Sequence, residues 1–116
     1  MGILIKYEPK HILTESNLAS IICEIKNKLA KRAKKAFLFG SVPQKKYKPT
    51  SDIDILIVVE EAKKPFAQRG QDFLDLYDVY PNIDFLVYTE EELKNKLEDH
   101  TPGFWSSVRD SMQQII

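Results

Sequence analysis

A chain of 116 residues with 43% hydrophobic and 29% charged side chains has room for one compact core, and its composition excludes a disordered or membrane-embedded protein. No apolar run approaches the ~20 residues of a membrane span, and the Met1–Glu8 start lacks a cleavable apolar signal, so a single domain over residues 1–116, cytoplasmic and away from membranes, is expected. The formal charge is zero, yet residues 1–51 carry 11 Lys/Arg against 3 Asp/Glu and residues 52–116 carry 6 against 14, with most of these expected on solvated faces.

In chain order, Leu18, Ile21, Ile22, Ile25 and Leu29 recur at helical spacing and predict an amphipathic helix from Glu15 to about Ala33, capped by Thr14 or Ser16. The lone Cys23 cannot form an internal disulfide, lies inside this pattern and reads as a buried structural thiol. Ala36-Phe37-Leu38-Phe39, ended by Gly40, and the β-branched run Ile53 to Val59 both read as buried strands, linked by a crossover. Pro65 opens a predicted helix carrying Phe66, Phe73, Leu74 and Tyr77, closed before Pro81. Ile83 to Tyr88 predicts a third strand. Glu90 to Glu98 and Phe104 to about Gln114 read as helices, the last with Trp105, Val108, Met112 and Ile115 on one face. The order predicts an α/β (α+β) fold, a small sheet of three or more strands flanked by helices.

The chemistry concentrates in residues 39–54. Asp52 and Asp54 stand two apart at the start of an apolar strand, and the period of two aims both at one face of the sheet. Neighbouring carboxylates repel and raise each other's pKa, so such a pair points to a divalent cation, with hard oxygen ligands favouring Mg²⁺ or Mn²⁺ over zinc. Gly40-Ser41 closes the preceding strand at a predicted turn into a short helix. Gly allows close backbone approach there, and free N–H groups with the Ser41 hydroxyl favour a phosphate. Asp84 is a third acid in an apolar run. If its strand lies beside Ile53 to Val59, three carboxylates can surround two metals about 3.5–4 Å apart, the arrangement of in-line displacement at phosphorus. Asp75 and Asp78 compete for this third position but fall on a predicted helix, and His11 and His100 have no partners at metal-ligand spacing.

Gly-Ser, ten residues, Asp-x-Asp and a later Asp in an apolar strand together resemble the nucleotidyltransferase superfamily related to DNA polymerase β. Within it, the chain looks like the minimal nucleotidyltransferases, which often act as antitoxins beside a helical HEPN protein; the resemblance covers roughly residues 15–100. It implies a nucleotidyltransferase fold with a mixed sheet, Gly40 and Ser41 on the donor's terminal phosphates, Asp52 and Asp54 on both metals, and Asp84 on the metal nearest the nucleophile. Many relatives have small-Arg-Gly where this chain has Pro43-Gln44-Lys45, so the phosphate-contacting Arg is absent and Lys45 or Lys46 is expected to take its task.

The expected reaction is attack of an acceptor hydroxyl on the α-phosphate of a nucleoside triphosphate, ATP foremost, with pyrophosphate leaving. The acceptor is expected on another protein, of HEPN type by the resemblance, since the chain has no room for an acceptor domain; a homodimer stays open. Two other readings stand beside it: a nucleotidyltransferase fold that binds as an antitoxin subunit without turnover, and a metal-dependent phosphodiesterase.

Overall fold

The computed structural model describes residues 12–116. Helix α1 (Glu15–Leu29) starts at Thr14, whose hydroxyl accepts from the Asn17 amide while the Asn17 side chain accepts from the Thr14 amide. This reciprocal cap satisfies two N–H groups that no turn of helix could reach. Ile21, Ile25 and Leu29, one turn apart, form its buried face; Cys23, expected to be buried, is off that face and exposed. The helix stops at Leu29 rather than near Ala33: the Arg32 and Ala33 amides both converge on the Leu29 carbonyl, and the Arg32 guanidinium takes the Lys28 carbonyl.

Strand β1 (Lys35–Phe39) runs antiparallel to β2 (Ile53–Val59), pairing Lys35 with Val58 and Phe39 with Asp54. The two are joined by a turn-rich segment, not by the expected crossover and short helix. Pro43 has no amide to donate and Lys45 takes a positive φ of 59°, so the chain turns back through Lys45 N–H to Val42 C=O and Lys46 N–H to Ser41 C=O. Strand β3 (Ile83–Thr89) lies parallel to β2, in register from Ile53 beside Ile83 to Val59 beside Thr89. Parallel neighbours need a long connection. It is supplied by Phe66–Asp78, a 3₁₀ segment bent at Phe73 rather than the expected regular helix, which buries Phe73 and Leu76.

Helix α2 (Glu90–Leu97) follows β3 directly, capped by Thr89 with Glu92 reaching back. Helix α3 (Phe104–Ser111) is shorter than its periodicity suggests. Met112 turns extended, and Gln113–Gln114 forms a two-residue edge strand, β4, antiparallel to β1. Main-chain bonds from Ile115 and Ile116 to Ala36 anchor this tail, and both side chains pack on the core, which outweighs the helical pattern.

The mixed sheet has the order β3-β2-β1-β4 and separates two apolar clusters. Ile53, Ile55 and Ile57 face α1 and the 3₁₀ segment, whereas Leu56 and Val58 face α2 and α3 with Phe39, Tyr88 and Val108. Both faces are therefore covered in part, and alternation puts Asp54 on the α2–α3 side. No helix among the described residues is long and apolar enough to cross a membrane.

Candidate active site

Strand β2 is buried from Ile55 to Val58, and Asp54 is its one internal charge. In-register pairing makes Asp54 the direct neighbour of Asp84 on one side and of Phe39 on the other, all three on one face. Asp52 sits one step outside the strand. The Ile53 amide donates to the Asn82 carbonyl, tying the entries of β2 and β3 together. The acids that the sequence singles out thus gather at the ends of two parallel strands. Asp75 instead holds Arg32 and Lys28 on the far side of the fold, and His100 lies exposed in the loop before α3. His11 lies outside the described residues.

The electrostatics record this gathering. Burial, then the charges of Asp84 and Asp52, push the Asp54 carboxyl up to about 6. Asp84 is raised by burial, by the charge of Asp52 and by hydrogen bonding between these two carboxyl groups. Among the described residues no Lys or Arg forms an ion pair with Asp52, Asp54 or Asp84, although seven ion pairs form elsewhere.

Gly40 adopts a φ of 80°, and a Cβ at this position would stand 2.5 Å from Asp54 Oδ2. Only glycine lets the backbone turn so close to the carboxylate. The Gly40 amide is not directed at an open phosphate site, because it donates to Ser111 Oγ, which itself donates to the Ser107 carbonyl. Ser41 is half-buried at the start of the turn, and Gln44 donates its side-chain N–H to the Gly40 carbonyl. Lys46 is exposed in the same turn. Lys45 lines a cavity of about 750 Å³ with Leu18, Ile22, Leu38 and Tyr47 on the α1 side of the sheet, away from the face that carries Asp54. A second cavity, of about 520 Å³, lies at the other end of β2 near Val59, Lys63 and Arg69.

Two supporting residues escape a reading of the sequence. Tyr80 is fully buried and donates its hydroxyl to the Ser51 carbonyl, immediately before Asp52; its own ionisation is pushed up chiefly by burial. Ser111 grips Gly40 from 71 residues away. An aromatic in a loop and a serine on a helix carry no local signal of either contact.

The matched family model decides what this arrangement belongs to: the nucleotidyltransferase domain model covers residues 22–109. The chain belongs to the nucleotidyltransferase domain family. A solved structure from Sulfolobus solfataricus, of a protein assigned as a nucleotidyltransferase, superposes with a TM-score of 0.58 at 25% identity, covering 82% of this chain and 86% of that one. No curated protein matches. A nucleotidyltransferase works on a nucleoside triphosphate, and the family typically employs a divalent metal. As a donor set the three acids fit such an ion: they offer anionic oxygen only and lack a counter-charge. As they stand, no three His, Cys, Asp or Glu side chains among the described residues are drawn into a metal-holding group.

Proposed function

We propose that this nucleotidyltransferase moves a nucleoside monophosphate, from ATP by preference, to an acceptor hydroxyl with loss of pyrophosphate. The reading rests on one observation above all. Asp54 and Asp84 are register neighbours with Asp52 close by; burial and the neighbouring carboxylates raise Asp54 and Asp84, and no Lys or Arg among the described residues pairs with any of the three. Asp52 and Asp54 would hold Mg²⁺ or Mn²⁺, and Asp84 would join them on the side of the incoming hydroxyl. A divalent cation held by these carboxylates would supply positive charge against the phosphate oxygens of the donor.

The chain's own groups do the rest. Ser41, in the turn that Gly40 brings close to the carboxylates, with positive charge from Lys46, would hold the donor's terminal phosphates, whereas Lys45 faces the other side of the sheet. Asp84, exposed at the strand end, is placed to orient the acceptor hydroxyl. The acceptor is a residue of a second protein, of the HEPN type that minimal nucleotidyltransferases accompany, and the pair acts as toxin and antitoxin in the cytoplasm. One observation favours a subunit that binds without turnover: the Gly40 amide is taken by Ser111, leaving one donor fewer for phosphate.

The test is incubation with a HEPN-type partner, Mg²⁺ or Mn²⁺ and ATP labelled at the α-phosphate. Label transferred to the partner with stoichiometric pyrophosphate, absent for Asp54→Asn, is the expected result. Binding of ATP without transfer would support the non-catalytic subunit, and hydrolysis of phosphodiesters without pyrophosphate release would overturn both.

A further inference from the structure

Among the described residues four large apolar side chains are exposed: Phe66, Leu74, Tyr77 and Phe104. Leu74 and Tyr77 belong to the 3₁₀ segment, and Tyr77 leans on Phe85, on the side of the sheet away from Asp54. Phe66 stacks on Tyr88 with 4.9 Å between centroids and 27° between planes, so one of its faces is used. Phe104 differs. Its ring meets Phe39 at 5.9 Å and 85° and Trp105 at 5.2 Å and 90°, both perpendicular contacts, and the residue remains 54% exposed.

Position gives this ring a use. Phe39 is the cross-strand partner of Asp54 on the same sheet face. Directly opposed side chains have Cβ atoms about 5 Å apart, so Phe104, one ring beyond Phe39, stands roughly 10 Å from the carboxylates. A ribose bridges a gap of that order between an α-phosphate and its base. Ser111, at the other end of α3, grips Gly40 and fixes the helix against the site.

We propose that Phe104 is the stacking platform for the nucleobase of the donor triphosphate, a role that rests on the nucleotidyltransferase reading above. Perpendicular packing against Phe39 and Trp105 holds the ring without covering it by a parallel neighbour. Stacking is tolerant of base identity, because every base has a π-face. The platform therefore supplies affinity for a nucleoside without selecting adenine.

Trp105 is the sole tryptophan and touches Phe104, so its fluorescence reports on the platform. With Mg²⁺ present, ATP is expected to change Trp105 emission, whereas inorganic tripolyphosphate, which has the phosphates and no base, binds with little change. Phe104→Leu keeps an apolar contact with Phe39 but removes the aromatic face. It is expected to weaken ATP about 5- to 100-fold while leaving tripolyphosphate affinity and the melting temperature unchanged, and Phe104→Tyr is expected to bind ATP as wild type does. Equal ATP affinity in wild type and Phe104→Leu, or equal losses for ATP and tripolyphosphate, would overturn the platform while leaving the triphosphate site intact. A wild-type protein that binds neither ligand would instead sink the nucleotidyltransferase reading beneath it.

Discussion

A carboxyl group inside an apolar strand is costly to ionise, and Asp54 shows the cost in a carboxyl raised to about 6 from an ordinary 3.8. Between these values the folded protein holds a proton that the unfolded chain has released, so this group's contribution is fully present below about pH 4 and is lost as pH rises through 6. In metal-free buffer Asp54→Asn is expected to remove that loss. Relative to wild type, the variant gains about 1–2 kcal/mol between pH 4 and pH 7.5, after discounting for a half-exposed side chain. Urea denaturation of both proteins at the two pH values measures it, and an unchanged difference between them contradicts the assignment. Asp84 lies more open and is expected to act in the chemical step. Asp84→Asn should lower the transfer rate by orders of magnitude with a smaller change in triphosphate dissociation constant, whereas Asp78→Asn, at an exposed position of the 3₁₀ segment, leaves both near wild type. The reverse pattern in single-turnover assays would move the third acid to that segment.

At the scale of elements, the position of Asp54 depends on Gly40 as much as on β2. Gly40→Ala places a methyl 2.5 Å from Asp54 Oδ2 at a φ of 80°, so it is expected to cost about 1–3 kcal/mol and to reduce transfer more than stability alone explains. Thermal melting beside a transfer assay separates the two effects, and a fully active Gly40→Ala protein would show that the close approach is unimportant. The same contrast between local and distant causes explains what the sequence disclosed. Runs such as Ile53 to Val59 and Ile83 to Tyr88 announce strands, and the Asp-x-Asp period puts both acids on one face, because those signals are local. The 3₁₀ geometry after Pro65, the end of α3 at Ser111 and the turn of Gln113 into the sheet edge depend on docking against Phe85 and Ala36, which no local pattern encodes. The parallel pairing that sets Asp84 beside Asp54, and the grip of Ser111 on Gly40, are likewise properties of the assembled sheet.

Across the whole molecule, the division into a basic and an acidic half is partly internal pairing. Lys34 and Lys35 both reach Glu90, whose carboxyl they hold down at about 2, and Arg32 with Lys28 reaches Asp75. These contacts fasten α1 and β1 to the later elements from outside, each worth little in solvent. None of them involves the three acids at the strand ends, so three carboxylates without an ion pair are gathered at one place, near the turn that follows Gly40. A site of this kind should take up a triphosphate only when a divalent cation accompanies it. Isothermal titration of ATP into wild type and Asp54→Asn, with Mg²⁺ and with EDTA, measures this without any knowledge of the acceptor. Wild type is expected to bind at least about tenfold more tightly with Mg²⁺ than without, a gain of ~1.4 kcal/mol that Asp54→Asn loses. Equal affinity of wild type in the two buffers, or a Mg²⁺-dependent gain that survives in Asp54→Asn, would contradict it.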